Sequence, residues 1–479
     1  MEKSYNKNIF SKEFIKPLLL DENFCPAALW NNVFLNNVKN SKKGKLLSIA
    51  IIKDEDNTLV HNTCIFSEED GFLPSNFYFT EQLVKTLLWI YGGHKILIGG
   101  SKQIGEHIKS LYSKNAKRSF DIDIMSKIYE KPFSIEITDI NKMPDIREKT
   151  IPVDHQLEGC RIGFDLGASD IKVSAVIDGR SVFSAEEVWN PSQEADPSYH
   201  FDKIMLMLKK AATYMPRVDA IGGSAAGIYI NNRVMIASLF RSVPIEIFNT
   251  KVKDIFLEIQ KEWNVPLTII NDGEVTALAG SMSLNKNSVL GISMGSSEAG
   301  GFVNSKGGFN PWINEVAFFP VDFNPRAAID EWSGDVGCGV QYFSQQAVIR
   351  LAEKSGIIMD CKLTPAQKLN FIQELMFKED KRAIKIFKTI GGYLGYTLAH
   401  YADFYHMETV LILGRVTSGD GGIIILDEAK KVLKKEFPEL NERISINMPD
   451  EKSRRVGQSI AAASLPSIKI KKSKKHRFI

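Results

Sequence analysis

Asp165 and Lys172 stand either side of a turn of small residues in IGFDLGASDIKVSAVIDG, Ile162 to Gly179, a stretch that is otherwise largely apolar. An acid and a lysine inside an apparent β-hairpin call for a charged partner. The small residues of DLGAS, Gly167 and Ser169 among them, let backbone amides approach a polyphosphate. Lys172 can reach the same charge, and Asp165 can hold Mg2+ through water. These residues equally suit a plain surface hairpin. GSSEAGG, Gly295 to Gly301, repeats the pattern, with Gly295, Ser296 and Gly300 around the second turn; two such hairpins suit a clamp on a nucleotide's phosphates. Asn271 and Asp272 lie between the apolar run PLTII and the helical run GEVTALAG. A carboxylate there is placed to take a proton from a substrate hydroxyl as it attacks a terminal phosphoryl group; it is also placed to cap the helix. The turn GRVTSGDGG, Gly414 to Gly422, follows the strand-like TVLIL. It suits either packing against an adenine face or an ordinary β-to-α loop.

Strands must carry these residues, and helices must cover the strands. Residues 1–155 read as mixed α/β: a hairpin of KLLSIAIIK and TLVHNTCIF around DEDN, an amphipathic helix FTEQLVKTLLWIY, then KILIGG leading into SKQIGEHIKSLY. The turn at Gly99 and Gly100 suits an anion at a helix N-terminus or an ordinary tight turn. NKMPDIREKTIPVDHQLEG, rich in charge and Pro, reads as a linker. A first unit then spans 160–285 and a second 286–466, with a long helix in AIKIFKTIGGYLGYTLAHYADFY and a final helix SRRVGQSIAAASL. His400 and His406 are six residues apart, not stacked as i, i+4 ligands would be, and read as structural.

Composition bounds the rest. The chain has 479 residues, 44% hydrophobic and 24% charged, as ordinary globular proteins do. No apolar run approaches the roughly 20 residues that span a bilayer, so no membrane partner is expected and the cytoplasm is the expected location. Five scattered cysteines without a CxxC pair argue against a disulfide framework. The net charge is +3, but six Lys or Arg and no acid fall in the last eleven residues, KIKKSKKHRFI. Residues 467–479 are therefore expected to be a basic, disordered tail.

In their order, the motifs resemble the ROK family (repressors, uncharacterised reading frames and sugar kinases), within the superfamily of sugar kinases, actin and heat-shock chaperones. DLGASDIK matches phosphate motif one, IINDGEVTALAG the Asn-Asp helix and MGSSEAGG phosphate motif two. GCGVQYFSQQAVIRLA matches the segment after the family's zinc loop, and VGQSIAAA the closing helix. The resemblance runs from about Arg161 to Pro466. It implies two actin-like (ribonuclease H-like) lobes around a nucleotide cleft, here preceded by a smaller α/β domain. It further implies ATP with Mg2+ as cofactors and phosphotransfer to a carbohydrate or related polyol. Asp272 would be the base, with Asn271 and Glu315 of INEVAF as hydroxyl ligands. A homodimer is expected.

Departures from the family pattern are as informative. Phe318 stands at the zinc-site His, and Glu331 and Ser333 at two of its Cys, leaving Cys338; no structural zinc is expected. That His and a Glu that falls on Val340 are usual sugar ligands, and a site without partners for hydroxyls discriminates against a hexose. Arg241 in ASLFRSVP suits a charged substrate, or else a salt bridge. Glu298 in phosphate motif two is expected to bring negative charge towards phosphates. Of the aromatics in DEWSGDVGCGVQYFSQQ, Trp332, Tyr342 and Phe343 read as core, while the acids Asp330, Glu331 and Asp335 could line a cleft or a subunit contact. These departures leave a non-catalytic sugar- or nucleotide-binding regulator as the alternative. Residues 1–155 show no winged helix with a basic recognition helix, so DNA is not an expected partner.

Overall fold

The computed structural model describes residues 17–151, 153, 157–449 and 451–468, apart from the side chains of 451–456. Two compact units share the chain. One gathers the described residues up to Ile151 together with Lys286–Pro449; the other holds the described residues of 152–285 and 450–479.

The amino-terminal region builds its own sheet. Strands β1 (Lys45–Ile52), β2 (Thr58–Ile65), β3 (Lys95–Gly99) and β4 (Ser134–Thr138) lie in the order β2-β1-β3-β4. The β1–β2 hairpin anticipated around DEDN is antiparallel, and β3 and β4 run parallel. Helices α1 (Ala27–Asn40), α2 (Leu73–Tyr91), α3 (Lys102–Leu111) and α4 (Ser119–Tyr129) accompany it. In α2 even Glu81, Gln82, Lys85 and Thr86 are buried, the mark of a helix covered all round. The turn at Gly99 and Gly100 is no open anion site. Ser101 caps α3 by accepting from the Ile104 amide and donates to the Glu68 carboxylate at 2.7 Å, so an acid of the chain occupies that position.

The second unit is built on β5 (Cys160–Leu166), β6 (Asp170–Ile177), β7 (Arg180–Val188), β8 (Ala220–Ala225) and β11 (Leu267–Asn271), in the order β11-β8-β5-β6-β7. Strands β5, β6 and β7 form an antiparallel meander, and β8 and β11 run parallel to β5. Every residue of β5 is buried, as in a central strand covered on both faces. Around the sheet are α5 (Pro197–Ala212), the ribbon β9 (Ile228–Ile230) and β10 (Arg233–Ile236), and the short α6 (Ile245–Ile247). Helices α7 (Ile255–Trp263) and α8 (Asp272–Leu284) follow.

The chain then returns to the first unit with β12 (Val289–Met294) and β13 (Glu298–Val303), α9 (Gln345–Lys354), α10 (Pro365–Phe377) and α11 (Lys381–Tyr401). There follow β14 (Thr409–Leu413), α12 (Asp420–Glu436), α13 (Pro438–Arg443) and β15 (Ser445–Asn447). These strands form a second sheet in the order β13-β12-β14-β15. Residues 304–344 between β13 and α9 hold only two 3-10 turns and isolated bridges.

Finally α14 (Glu451–Ala463) closes on β5, β8 and α8. A Cβ on Gly163 would stand 1.6 Å from the Ser459 carbonyl oxygen, and one on Gly222 1.7 Å from that of Ala462. Only glycine admits a helix that close. Buried Arg161 donates to the Pro466 carbonyl at 2.8 Å and fixes the end of the helix. The basic tail expected over 467–479 lies, from residue 469 on, outside the described residues. Among the described residues no helix is long and apolar enough to cross a membrane.

Candidate active site

The carboxyl ends of β5, β8 and β11, where open α/β sheets bind ligands, gather four polar side chains. In register, Asp165 faces Lys172 of β6 on one side and Ser224 of β8 on the other, while Asn271 pairs with Ala225. Asp165 is buried and accepts a 2.7 Å hydrogen bond from Ser224 Oγ. Burial raises its carboxyl above the ordinary range, against the Lys172 charge and the Ser224 hydroxyl, which lower it. Lys172 Nζ lies 3.9 Å from Asp165 Oδ2 and pairs at 3.0 Å with Asp170. Burial would lower the ammonium's pKa, but Asp165 and Asp170 outweigh it and raise it.

Between Asn271 and Asp272 the capping question has a clear answer. Asn271 is the N-cap of α8: its Oδ1 accepts from the Gly273 amide at 2.7 Å and its Nδ2 donates to the Gly227 carbonyl at 2.8 Å. Asp272, half-buried at the first helical position, accepts a 3.0 Å bond from Gly273. Burial, then the neighbouring Asp165 charge, push its carboxyl up to about 6. A carboxylate tuned towards neutrality beside a second acid is the arrangement acid–base chemistry uses.

The turn of phosphate motif one is held by its own chain. The Gly167 amide donates to the Asp170 carbonyl at 2.9 Å, and the Gly167 carbonyl accepts from Trp189 Nε1 at 2.8 Å. Ser169 is exposed and its Oγ donates to Asp170 at 2.9 Å. Arg241 is exposed on the turn after Ser238–Phe240. That turn is fixed to the 190–193 segment through Ser242, which donates to the Ser192 carbonyl at 2.7 Å.

In the other unit, Gly295 and exposed Ser296 form the turn between β12 and β13. The Gly295 amide donates to the Ser297 carbonyl, and its own carbonyl accepts from Gln345 at the start of α9, both at 2.9 Å. Gly414 has φ +105°, and a Cβ there would stand 2.3 Å from the Met294 carbonyl oxygen, so its turn adjoins the Gly295 turn. Gly300 is buried, and a Cβ on it would stand 2.8 Å from the Val316 methyls. Its need for glycine comes from packing. Glu315 is half-buried, with its amide bonded at 3.0 Å to the Trp89 carbonyl of α2.

Three expectations are corrected. Glu298 does not direct charge towards phosphates: it opens β13 on the face towards α11, is buried, and accepts from Tyr401 Oη at 3.1 Å. Burial pushes its carboxyl up to about 8, so it is largely protonated at neutral pH. Trp332 is 61% exposed, whereas Tyr342 and Phe343 are buried as core. Asp335, offered as a cleft acid, is buried in ion pairs with Lys85 and Arg118. Phe318 packs on Trp89 at 4.3 Å between ring centroids, and Cys338 is buried. Among the described residues, no group of three or more His, Cys, Asp or Glu could hold a metal. His400 is buried without a partner for either ring nitrogen among the described residues, and burial lowers its pKa to about 4; His406 is exposed.

Ser224 and Asp170 are the residues sequence reasoning missed. The signal for Ser224 was the small-residue run AIGGSAA in a strand parallel to β5, which puts a hydroxyl in line with Asp165.

A family model described as "ROK family" matches residues 161–463. The fold is similar to that of a ROK family glucokinase from Streptomyces griseus, solved with glucose and AMPPNP: TM-score 0.50 and 20% identity, over 64% of this chain and 99% of that one. It is similar too to a ROK family transcriptional regulator, a homologue of the E. coli MLC protein: TM-score 0.52 and 16% identity, over 65% and 79%. ROK hexokinase from Thermus thermophilus matches with TM-score 0.50 and 16% identity, over 64% and 97%. Comparison with curated proteins gives no match. With the model spanning most of the chain and the actin-like sheets in place, the chain belongs to the ROK family.

Proposed function

We propose that the protein is an ATP-dependent phosphotransferase of the ROK sugar-kinase type, acting on a hydroxyl of a carbohydrate or related polyol. The observation that carries this reading is Asp272: half-buried beside Asp165, next to the N-cap Asn271, and raised to about 6. Its carboxylate takes the proton from the attacking hydroxyl; the hydroxyl oxygen bonds to the γ-phosphorus as the bond to ADP breaks. Asn271 and Glu315 orient the acceptor, with Arg241 available to a charged one. Asp165, Gly167, Ser169 and Lys172 serve phosphate, as do Gly295, Ser296 and the Gly414 turn, with Gly300 packing the hairpin. Asp165 is a hard oxygen donor that suits Mg2+ held through water. When bound, Mg2+ neutralises charge developing on the phosphates. Co-crystallisation of the Streptomyces griseus glucokinase with glucose and AMPPNP supports nucleotide and sugar as the ligand classes.

A non-catalytic regulator binding sugar or nucleotide is the second reading, favoured by Phe318, whose ring is buried against Trp89 and Phe120 where a hydroxyl ligand would be needed. ADP release with Mg·ATP and a panel of neutral, amino, acidic and phosphorylated sugars separates the two. Turnover on one class supports the kinase. Sugar or nucleotide raising Tm without turnover supports the regulator.

A further inference from the structure

An irregular stretch of some forty residues in a compact unit needs something to hold it. Residues 304–344 carry Glu315, yet no regular strand or α-helix lies within them. Their support comes from the amino-terminal region. The last carbonyls of any α-helix lack intrahelical partners, and at the end of α2 the segment supplies them. The amides of Ile313 and Asn314 donate to the Ile90 carbonyl, and that of Glu315 to the Trp89 carbonyl, all at 3.0 Å. The following turn is pinned by Phe318 on Trp89. Further on, Asp335 is tied into a buried charge cluster of α2 and the start of α4: it pairs with Lys85 and, at 2.7 Å, with Arg118, which reaches Glu81 at 2.6 Å. Lys85, Arg118 and Asp335 are all almost wholly buried, so loss of one partner strands the others' charge.

We infer that the amino-terminal region is a positioning module for the Glu315 segment, acting through the carbonyl end of α2 and the Lys85–Asp335–Arg118 cluster. The anchoring stands on these contacts alone; its bearing on substrate rests on the kinase reading of Glu315.

The test is hydrogen exchange of the full-length Lys85→Met protein, with Asp335→Asn as a second variant should the first not fold. The expected result is exchange faster by about tenfold or more at the amides of 313–316 and 335–341, with β5, β8 and β11 unchanged. On a sugar that is turned over, the sugar KM rises by about tenfold while the nucleotide KM stays within about twofold. Exchange that rises only within β1–β4, or in every element alike, would overturn the anchoring. Loosened amides with an unchanged sugar KM would overturn the link to substrate. Absence of turnover would remove the kinase reading and leave exchange to decide the anchoring.

Discussion

Half-buried Asp272 and buried Glu298 both have carboxyls with raised pKa, and their surroundings differ. As the proposed base, Asp272 serves only when deprotonated, so kcat/KM is expected to rise with pH through about 6 and then level off. Asp165 supplies part of that elevation; Asp165→Asn moves the acid limb to lower pH, as a pH–rate profile of the residual activity would register. Among the described residues, the Glu298 carboxyl accepts from Tyr401 alone. Its folded pKa, about 8, exceeds the ordinary 4.5. The folded state therefore holds a proton that the unfolded chain has released, and the stability so gained is complete below about 4.5 and lost as pH rises through about 8. Glu298→Gln should raise Tm at pH 8 and leave it unchanged at pH 4; equal shifts at both would mean the carboxyl is not titrating there. From the sequence Glu298 reads as charge beside a phosphate turn, because a strand's register decides which face a residue takes and a one-residue shift reverses it.

At the scale of elements, small residues carry much of the meaning, and sequence alone does not separate their kinds. Gly163 and Gly222 leave room for α14, Gly300 for Val316 and Gly414 for Met294, whereas a Cβ on Gly295 would meet only Ser297, at 3.8 Å. Gly163→Ala or Gly222→Ala forces backbone apart and should cost about 3 kcal/mol or more in urea unfolding. Gly295→Ala should leave stability within about 0.5 kcal/mol and weaken nucleotide binding, measured by calorimetry; unchanged affinity would remove Gly295 from the phosphate site. The strands and helices themselves were legible: the β1–β2 hairpin, the β5–β6 hairpin, and α8, α11 and α14 all follow from apolar period and turn residues. So was the Asn271–Asp272 junction. Which of that pair caps was not, because either residue serves and only the Gly227 carbonyl selects Asn271.

For the molecule as a whole, composition and motif order were enough to place residues 161–463 in their family, but not to explain the first 151. The contacts that define that region join residues some 220 to 250 positions apart, such as Trp89 with Glu315 and Lys85 with Asp335. No local pattern announces pairing at that distance. Lys85 in particular reads as the polar face of an amphipathic helix, and is buried only because Asp335 meets it. Phe318 likewise reads as a lost ligand, and proves to be an aromatic contact with Trp89.

Whether Asp272 is a base or a helix cap is decided most directly by comparing Asp272→Asn with the natural protein for ADP release on the best sugar and for ATP affinity by calorimetry. We predict turnover reduced by about 10²–10⁴-fold, the range of general-base catalysis, with ATP affinity and Tm nearly unchanged. Turnover that survives the substitution, or falls only in step with ATP affinity and Tm, would mean that Asp272 is not the base.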